Sequence, residues 1–176
     1  MSILRWLDFP PLGDDRGSLV ALEGRGTIPF AIKRVYYLFR TKQDITRGMH
    51  AHLSLKQVML CVTGSCEILL DNGVVKESTV LNSPTKGLLV EGLVWREMSQ
   101  FSSNCVLLVI ASEHFDEKDY IKNITKTLPS LSFAYDLIRK SNDLSIDAFQ
   151  KKDFKKVANK ELLNKLFEIT LIASKN

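Results

Sequence analysis

Two imidazoles stand at i and i+2 in the segment Arg47-Gly48-Met49-His50-Ala51-His52. Side chains alternate along a β-strand, so both rings leave the same face if this segment is one. The ordinary histidine pKa lies near neutrality, and such a pair can take and give protons at working pH. Arg47 beside the pair is a natural anchor for a phosphate or carboxylate. An HxH can equally be a metal ligand pair or two surface residues. Here the chain holds only three histidines, and two are spaced this way. That concentration favours proton chemistry at a built site.

The elements that must position the pair are short strands. From Ser18 to Ser112 the chain alternates apolar segments with turn signals. Ser18–Glu23 and Ile32–Phe39 are rich in β-branched, aromatic and leucine residues. Lys56–Val62 and Cys66–Asp71 flank Thr63-Gly64-Ser65, which predicts a tight hairpin. Asp71-Asn72-Gly73 predicts a second turn before Val74–Leu81. Leu88–Val90, Val94–Met98 and the continuous apolar run Cys105–Ala111 complete the set, the last typical of a strand covered on both faces. Many short strands at roughly ten-residue spacing argue for an all-β sandwich or closed barrel.

After Ser112 the character changes. Asp116–Ile121 reads as a short turn of helix, and Pro129 marks a break. From Ala148 the apolar positions Phe154, Val157, Ala158, Leu162, Leu166 and Ile169 follow helical spacing, with lysines opposite. Residues 1–128 are therefore expected to form the β-barrel domain and residues 129–176 a helical C-terminal extension without catalytic groups.

Composition narrows the function. A chain of 176 residues that is 45% hydrophobic can bury one sizeable core. The net charge of +4 suits anionic ligands but is too weak to argue for nucleic acid. Met1 to Pro11 lacks the apolar core of a signal peptide, and no stretch approaches membrane-spanning length, so the cytoplasm is the expected compartment. Cys61, Cys66 and Cys105 are an odd count without zinc-ribbon spacing and read as buried reduced thiols.

The segment from His50 to Gly64 resembles the first motif of the cupins, small β-barrels that carry G-x(5)-H-x-H-x(3,4)-E-x(6)-G. Gln57 and Gly64 come after His50 and His52 at matching spacing, with Gln57 where the carboxylate ligand would stand. The second motif should supply another histidine, but Trp95-Arg96 occupies that region. Two imidazoles, a neutral amide and an always-charged guanidinium make a poor trap for a divalent cation, so no metal is expected.

A closer resemblance is carried by Asp14–Val20, Ile28–Tyr37, Arg47–His52, Val62–Leu70, Asn82-Ser83-Pro84, Val94–Met98 and Cys105–Tyr120. These strings are similar, in the same order over roughly residues 3 to 128, to sugar 3,4-ketoisomerases acting on dTDP-4-keto-6-deoxyhexoses. The resemblance implies a cupin fold (a double-stranded β-helix, or jelly-roll barrel), a homodimer, and a dTDP-linked 4-keto-6-deoxy sugar as substrate. Arg47–His50 and Asp15-Arg16-Gly17 are also similar to motifs of the dTDP-sugar 3,5-epimerases, where arginines bind the diphosphate and histidine is the base. Carried across, Arg16 and Arg47 contact diphosphate or sugar, and His50 and His52 transfer protons. Arg96 stands where some ketoisomerases have histidine. Together with Arg16 it leaves the C4 configuration of the product open.

Moving a carbonyl from C4 to C3 needs two proton transfers and a stabilised enediolate, and no redox cofactor. A tyrosine hydroxyl or a guanidinium can hold the oxyanion. Arg34 and Tyr36 share one face of their strand, and Val35, Tyr37 and Phe39 the other. Only one of Tyr36 and Tyr37 can look into the barrel, and which one is open; Tyr36 is favoured as the inward catalytic residue. Arg34, Tyr37, Gln57, Trp95 and Arg96 complete the expected substrate contacts. The leading expectation is therefore a ketoisomerase feeding synthesis of 3-amino-3,6-dideoxy sugars for surface glycans. The rivals are a 3,5-epimerase-like enzyme, a sugar-binding cupin without turnover, and a metal-dependent oxygenase.

Overall fold

Burial alternates with a period of two along Arg34–Phe39, Cys66–Asp71 and Lys76–Leu81, as antiparallel strands with one covered face require. The structure is a computed structural model that describes residues 2–122. The expected extension, 129–176, and the domain boundary at 128 lie outside the described residues. One five-stranded sheet runs β1 (Arg5–Asp8), β9 (Lys86–Glu91), β6 (Lys56–Thr63), β11 (Val106–Ala111) and β4 (Arg34–Phe39). A second runs β12 (Tyr120–Ile121), β5 (Arg47–His52), β10 (Trp95–Ser99), β7 (Cys66–Asp71) and β8 (Lys76–Leu81). A small hairpin, β2 (Leu12–Asp14) and β3 (Gly17–Leu19), stands apart. This is the all-β, two-sheet architecture of a jelly-roll barrel.

The main core joins the sheets. Met59 and Cys61 of β6 and Leu107 and Val109 of β11 pack with Cys66, Ile68 and Leu70 of β7. The other face of the first sheet is covered too: Val58, Leu60, Leu89 and Ile110 meet Phe9, Ile28 and Phe30. Strands buried on both faces read as continuous apolar runs, which is why β6 and β11 lack clean alternation in sequence. The edge strand β4 differs: Val35, Tyr37 and Phe39 are more than half exposed. No helix among the described residues is long and apolar enough to cross a membrane.

Several local expectations need correction. Residues 63–65 do not close a hairpin. β6 pairs with β9 and β11, and β7 with β10 and β8, so the turn carries the chain from one sheet to the other. Two inward-facing strands joined by a short turn can pair or arch, and alternation does not distinguish them. Gly64 serves the arch with φ +67, and a Cβ there would lie 2.4 Å from the Ser102 hydroxyl. The expected strand at 18–23 shrinks to the end of β3. The short strands β1, β2 and β12 were not expected, because two to four residues carry too little periodic signal. At 116–121 the helical turn is a 3₁₀ turn over Glu117–Asp119, which runs directly into β12.

Candidate active site

A β-bulge builds the site. On β10, Arg96 faces His50, but Glu97 faces Gly48 and Met98 faces Arg47, leaving Met49 without a partner. Gly48 and Met49 take φ +85 and +55. A Cβ on Gly48 would meet the Arg96 carbonyl oxygen at 2.7 Å, so backbone conformation and close approach both require glycine. In a regular strand, residues 47 and 50 point to opposite faces. The extra residue restores Arg47 to the His50 side, where both line one cleft.

The two imidazoles meet at the floor. Nε2 of His50 and Nε2 of His52 are 3.1 Å apart, with the rings edge to face. His50 Nδ1 donates to the Gly48 carbonyl at 2.8 Å, which fixes its tautomer, because a carbonyl only accepts. His52 Nδ1 lies 2.9 Å from Asp119 Oδ2. The other carboxylate oxygen of Asp119 accepts from the Ser54 amide at 2.9 Å and the Ser54 hydroxyl at 3.0 Å. Burial pushes the Asp119 carboxyl up, but the bonds from His52 and Ser54 outweigh it and hold it below the usual range. Ionised Asp119 therefore accepts from His52.

Burial lowers both histidines. For His50 the charges of Arg96 and Lys122 add to burial, against the bond to Gly48. For His52 burial dominates, opposed by the Asp119 bond, and the pKa falls to about 4. The neutral pair then carries two N–H protons for three hydrogen-bond positions: Gly48, the Nε2–Nε2 gap and Asp119. It is one proton short, which is the condition of a base.

A second relay lies beside it. The fully buried Arg96 donates to Gln57 Oε1 and to the Val94 carbonyl. Because arginine only donates, the Gln57 amide is oriented, and its Nε2 donates to the Tyr36 hydroxyl at 2.7 Å. The Tyr36 hydroxyl thus accepts from beneath, and its own proton is left for the cleft. Burial, with Tyr120 nearby, raises the Tyr36 pKa and keeps the phenol protonated. Burial lowers Arg96 to about 10, still charged at neutral pH, and no carboxylate contacts it among the described residues.

The cleft is open, about 550 Å³, and lined by Arg34, Tyr36, Tyr37, Arg47, His50 and Tyr120 among others. Arg34 lies over the rings of Tyr36 and Phe115, and its buried Nε has no hydrogen-bond partner among the described residues. Tyr37 sits on the far face of β4, at the rim, 60% exposed and against Phe39. Gln57 and Arg96, expected as substrate contacts, lie under the floor and reach the cleft through Tyr36. Trp95 is not at the site. Alternation on β10 turns it into a separate cluster with Ala51, Leu93 and Ile121, and its indole N–H donates to Glu97 at 2.8 Å. Arg16 is on the exposed β2–β3 hairpin, paired with Asp14 at 2.6 Å, and lines neither this cleft nor its neighbour. His114 borders the neighbouring cavity of about 340 Å³.

Sequence reasoning does not find Asp119 or Tyr120. Tyr120 packs its ring on both histidines, at 4.7 and 4.4 Å. Asp119 stands 67 residues from His52, and no local pattern marks that pairing.

The residues do not fit the divalent ion that many cupins hold. Arg96 places a positive charge beneath the imidazoles, Gln57 is committed to Arg96 and Tyr36, and no group of three ligating His, Asp or Glu side chains converges there among the described residues. Turnover should therefore survive exhaustive chelation. Loss of turnover that one divalent ion per chain restores would refute this.

Known proteins are similar to this chain in sequence and fold. The family model described as "FdtA: WxcM-like, C-terminal" matches residues 2–131. A TDP-4-oxo-6-deoxy-alpha-D-glucose-3,4-oxoisomerase of Aneurinibacillus thermoaerophilus is 51% identical over 116 residues, 66% of this chain and 84% of that protein. A mutant of the 3,4-ketoisomerase QdtA from Thermoanaerobacterium thermosaccharolyticum, in complex with TDP-4-keto-6-deoxyglucose, superposes with TM-score 0.72 at 41% identity, over 76% of this chain and 96% of that one. A 3,4-ketoisomerase from Helicobacter canadensis gives TM-score 0.72 at 43% identity, over 75% and 99% of the two chains.

Proposed function

The chain belongs to the FdtA family of WxcM-like C-terminal domains and is a sugar nucleotide 3,4-ketoisomerase, and from that premise we propose how its residues move the carbonyl of a dTDP-4-keto-6-deoxyhexose from C4 to C3. The observation that carries the proposal is the His50–His52–Asp119 chain at the floor of the cleft. The neutral pair takes the C3 proton through His50, which lines the cleft. That proton fills the one empty hydrogen-bond position, and Asp119 stabilises the resulting positive charge. The C3–H electrons form the enediolate, whose developing charge accepts the Tyr36 hydroxyl proton as a hydrogen bond in the field of the buried Arg96. The pair then delivers a proton to C4, and the hydroxyl proton passes from the C3 oxygen to the C4 oxygen. The electrons stay in the sugar, so the reaction needs no redox cofactor.

Incubation in D₂O tests this. Deuterium should appear at C4 of a 3-keto product. Label at C3 and C5 of a recovered 4-keto sugar would be epimerase chemistry and would sink the proposal. The labile 3-keto product suits an aminotransferase acting at C3, and thence 3-amino-3,6-dideoxy sugars of surface glycans. A cytoplasmic location accords with that supply of nucleotide sugar.

The pair's pKa directions set a pH profile. Both histidines titrate below the ordinary 6.5, so kcat/KM should stay level from neutrality downward and fall only on an acid limb below that value. Asp119 raises His52, so Asp119→Asn should shift the limb to still lower pH and reduce the plateau. Stability moves with the same sign. Between pH 6.5 and about 4 the unfolded chain binds more protons at His52 than the folded one, so stability falls as pH drops through that window. An acid limb above 6.5 would contradict the assignment.

Arg47, with Arg34 nearby, is the proposed diphosphate anchor. A charge-assisted bond of about 1.5–3 kcal/mol predicts a roughly 10- to 100-fold rise in KM and in the dTDP dissociation constant for Arg47→Met. The resemblance gives Arg16 a similar role, but Arg16 is absent from its own chain's cleft. We therefore assign it to the cleft of a second copy, in keeping with a homodimer and with the apolar stripe left exposed on β4. Mixing Arg16→Met chains, weakened in substrate binding, with inactive His50→Asn chains should then regenerate turnover at the native KM, because one hybrid cleft has both native residues. No recovery after subunit exchange would place Arg16 elsewhere.

A further inference from the structure

All three cysteines of the chain meet at one point, Cys61 and Cys66 from either side of one turn and Cys105 from a distant segment, and the isomerase proposal uses none of them. Cys61 Sγ lies 3.7 Å from Cys66 Sγ and 3.8 Å from Cys105 Sγ, and all three sulfurs fall within 4.8 Å. The thiols are free and at most 4% exposed. Cys61 lies near the end of β6 in one sheet, Cys66 begins β7 in the other, and Cys105 precedes β11. The turns at 64–65 and 102–104 that flank them are joined by the Ser65 amide to the Ser102 hydroxyl and the Ser102 amide to the Ser65 carbonyl, both at 2.9 Å. Three small apolar thiols also fill core space beside Met59, Phe101 and Leu107. Packing alone, however, does not require their sulfurs to converge.

The spacing matches that of a metal site. Sulfurs about 2.3 Å from a tetrahedral ion lie about 3.8 Å from one another, and a trigonal ion spreads them to about 4 Å. We propose that Cys61, Cys66 and Cys105 form a binding site for a single thiophilic d¹⁰ metal ion, Zn(II) or Cu(I). No histidine or carboxylate joins the group among the described residues, which excludes hard cations such as Mg²⁺ and Ca²⁺. The surrounding cluster is apolar and supplies no counter-charge, so a charged complex is costly there. The ion therefore enters with only as many thiolates as its own charge, the remaining sulfurs staying protonated. Zn(II) releases two protons and Cu(I) one.

The test uses full-length, metal-free protein in oxygen-free buffer. Cd(II), a spectroscopic stand-in, should give a sulfur-to-metal charge-transfer band that saturates at one ion per chain. Zn(II) and Cu(I) titrations against chromophoric chelators should each raise Tm, with two and one protons released respectively, and the tighter ion is the one the site selects. Cys61→Ser, Cys66→Ser and Cys105→Ser should each weaken binding at least roughly tenfold, the scale on which even outer-shell changes act. His50→Asn should retain the band. Should the buried Cys61 variant not fold, Cys105→Ser and the wild-type Tm shift still decide. No band, undiminished affinity in Cys105→Ser, a band lost in His50→Asn, or Tm unmoved by both Zn(II) and Cu(I) would overturn the proposal.

Discussion

His50→Asn and His52→Asn should each lower kcat by at least about two orders of magnitude, within the range ascribed to positioned acid–base groups, while the circular dichroism spectrum stays native. The two variants should fail differently. His50 is half-buried and lines the cleft, so its loss removes the group that meets the sugar. Asparagine there can still hydrogen-bond but cannot carry a proton. His52 is fully buried and reaches solvent through no face. Its loss removes the ring that shares the proton and leaves Asp119 without its strongest donor, so this variant should also lose some thermal stability. KM should change little in either case, because neither ring is proposed to hold the diphosphate. Near-wild-type kcat in both variants would remove the mechanism. A double variant no worse than either single one would be the signature of a unit acting together.

Tyr36→Phe should cost about 10²- to 10³-fold in kcat, the scale of losing one preorganised donor to an oxyanion. The ring volume and its packing beside Arg34 survive the change, so the loss reports the hydroxyl. Gln57→Leu tests the relay beneath. Gln57 touches no substrate in this proposal. It positions Tyr36 by donating to its oxygen, and it satisfies Arg96. If it acts through Tyr36, adding Gln57→Leu to Tyr36→Phe should lower kcat no further, although stability falls because Arg96 loses an acceptor. A fully additive loss of kcat would mean that Gln57 meets the substrate directly. Tyr36→Phe with unaltered kcat would leave the enediolate without its proposed donor.

Much of this protein was legible in the residues themselves. The period of two along Arg34–Phe39 and Cys66–Asp71, broken by Asn72-Gly73, is a local property of side chains and turns, and it determined an all-β fold. The spacing of His50 and His52 likewise put both rings on one face, and Gln57 with Arg96 already argued against a divalent ion. What sequence could not supply were relations between distant segments. Whether residues 63–65 pair or arch depended on which partner strands were available, and β9, β10 and β11 claimed them. The bulge at Met49, which restores Arg47 to the His50 face, exists only against β10. Trp95 and Arg96 are adjacent in sequence, yet pleating sent one to a separate core and the other under the active site. Asp119 reached His52 because β12 pairs with β5. Such pairings are set by long-range strand register and burial, for which no nearby residue carries a signal.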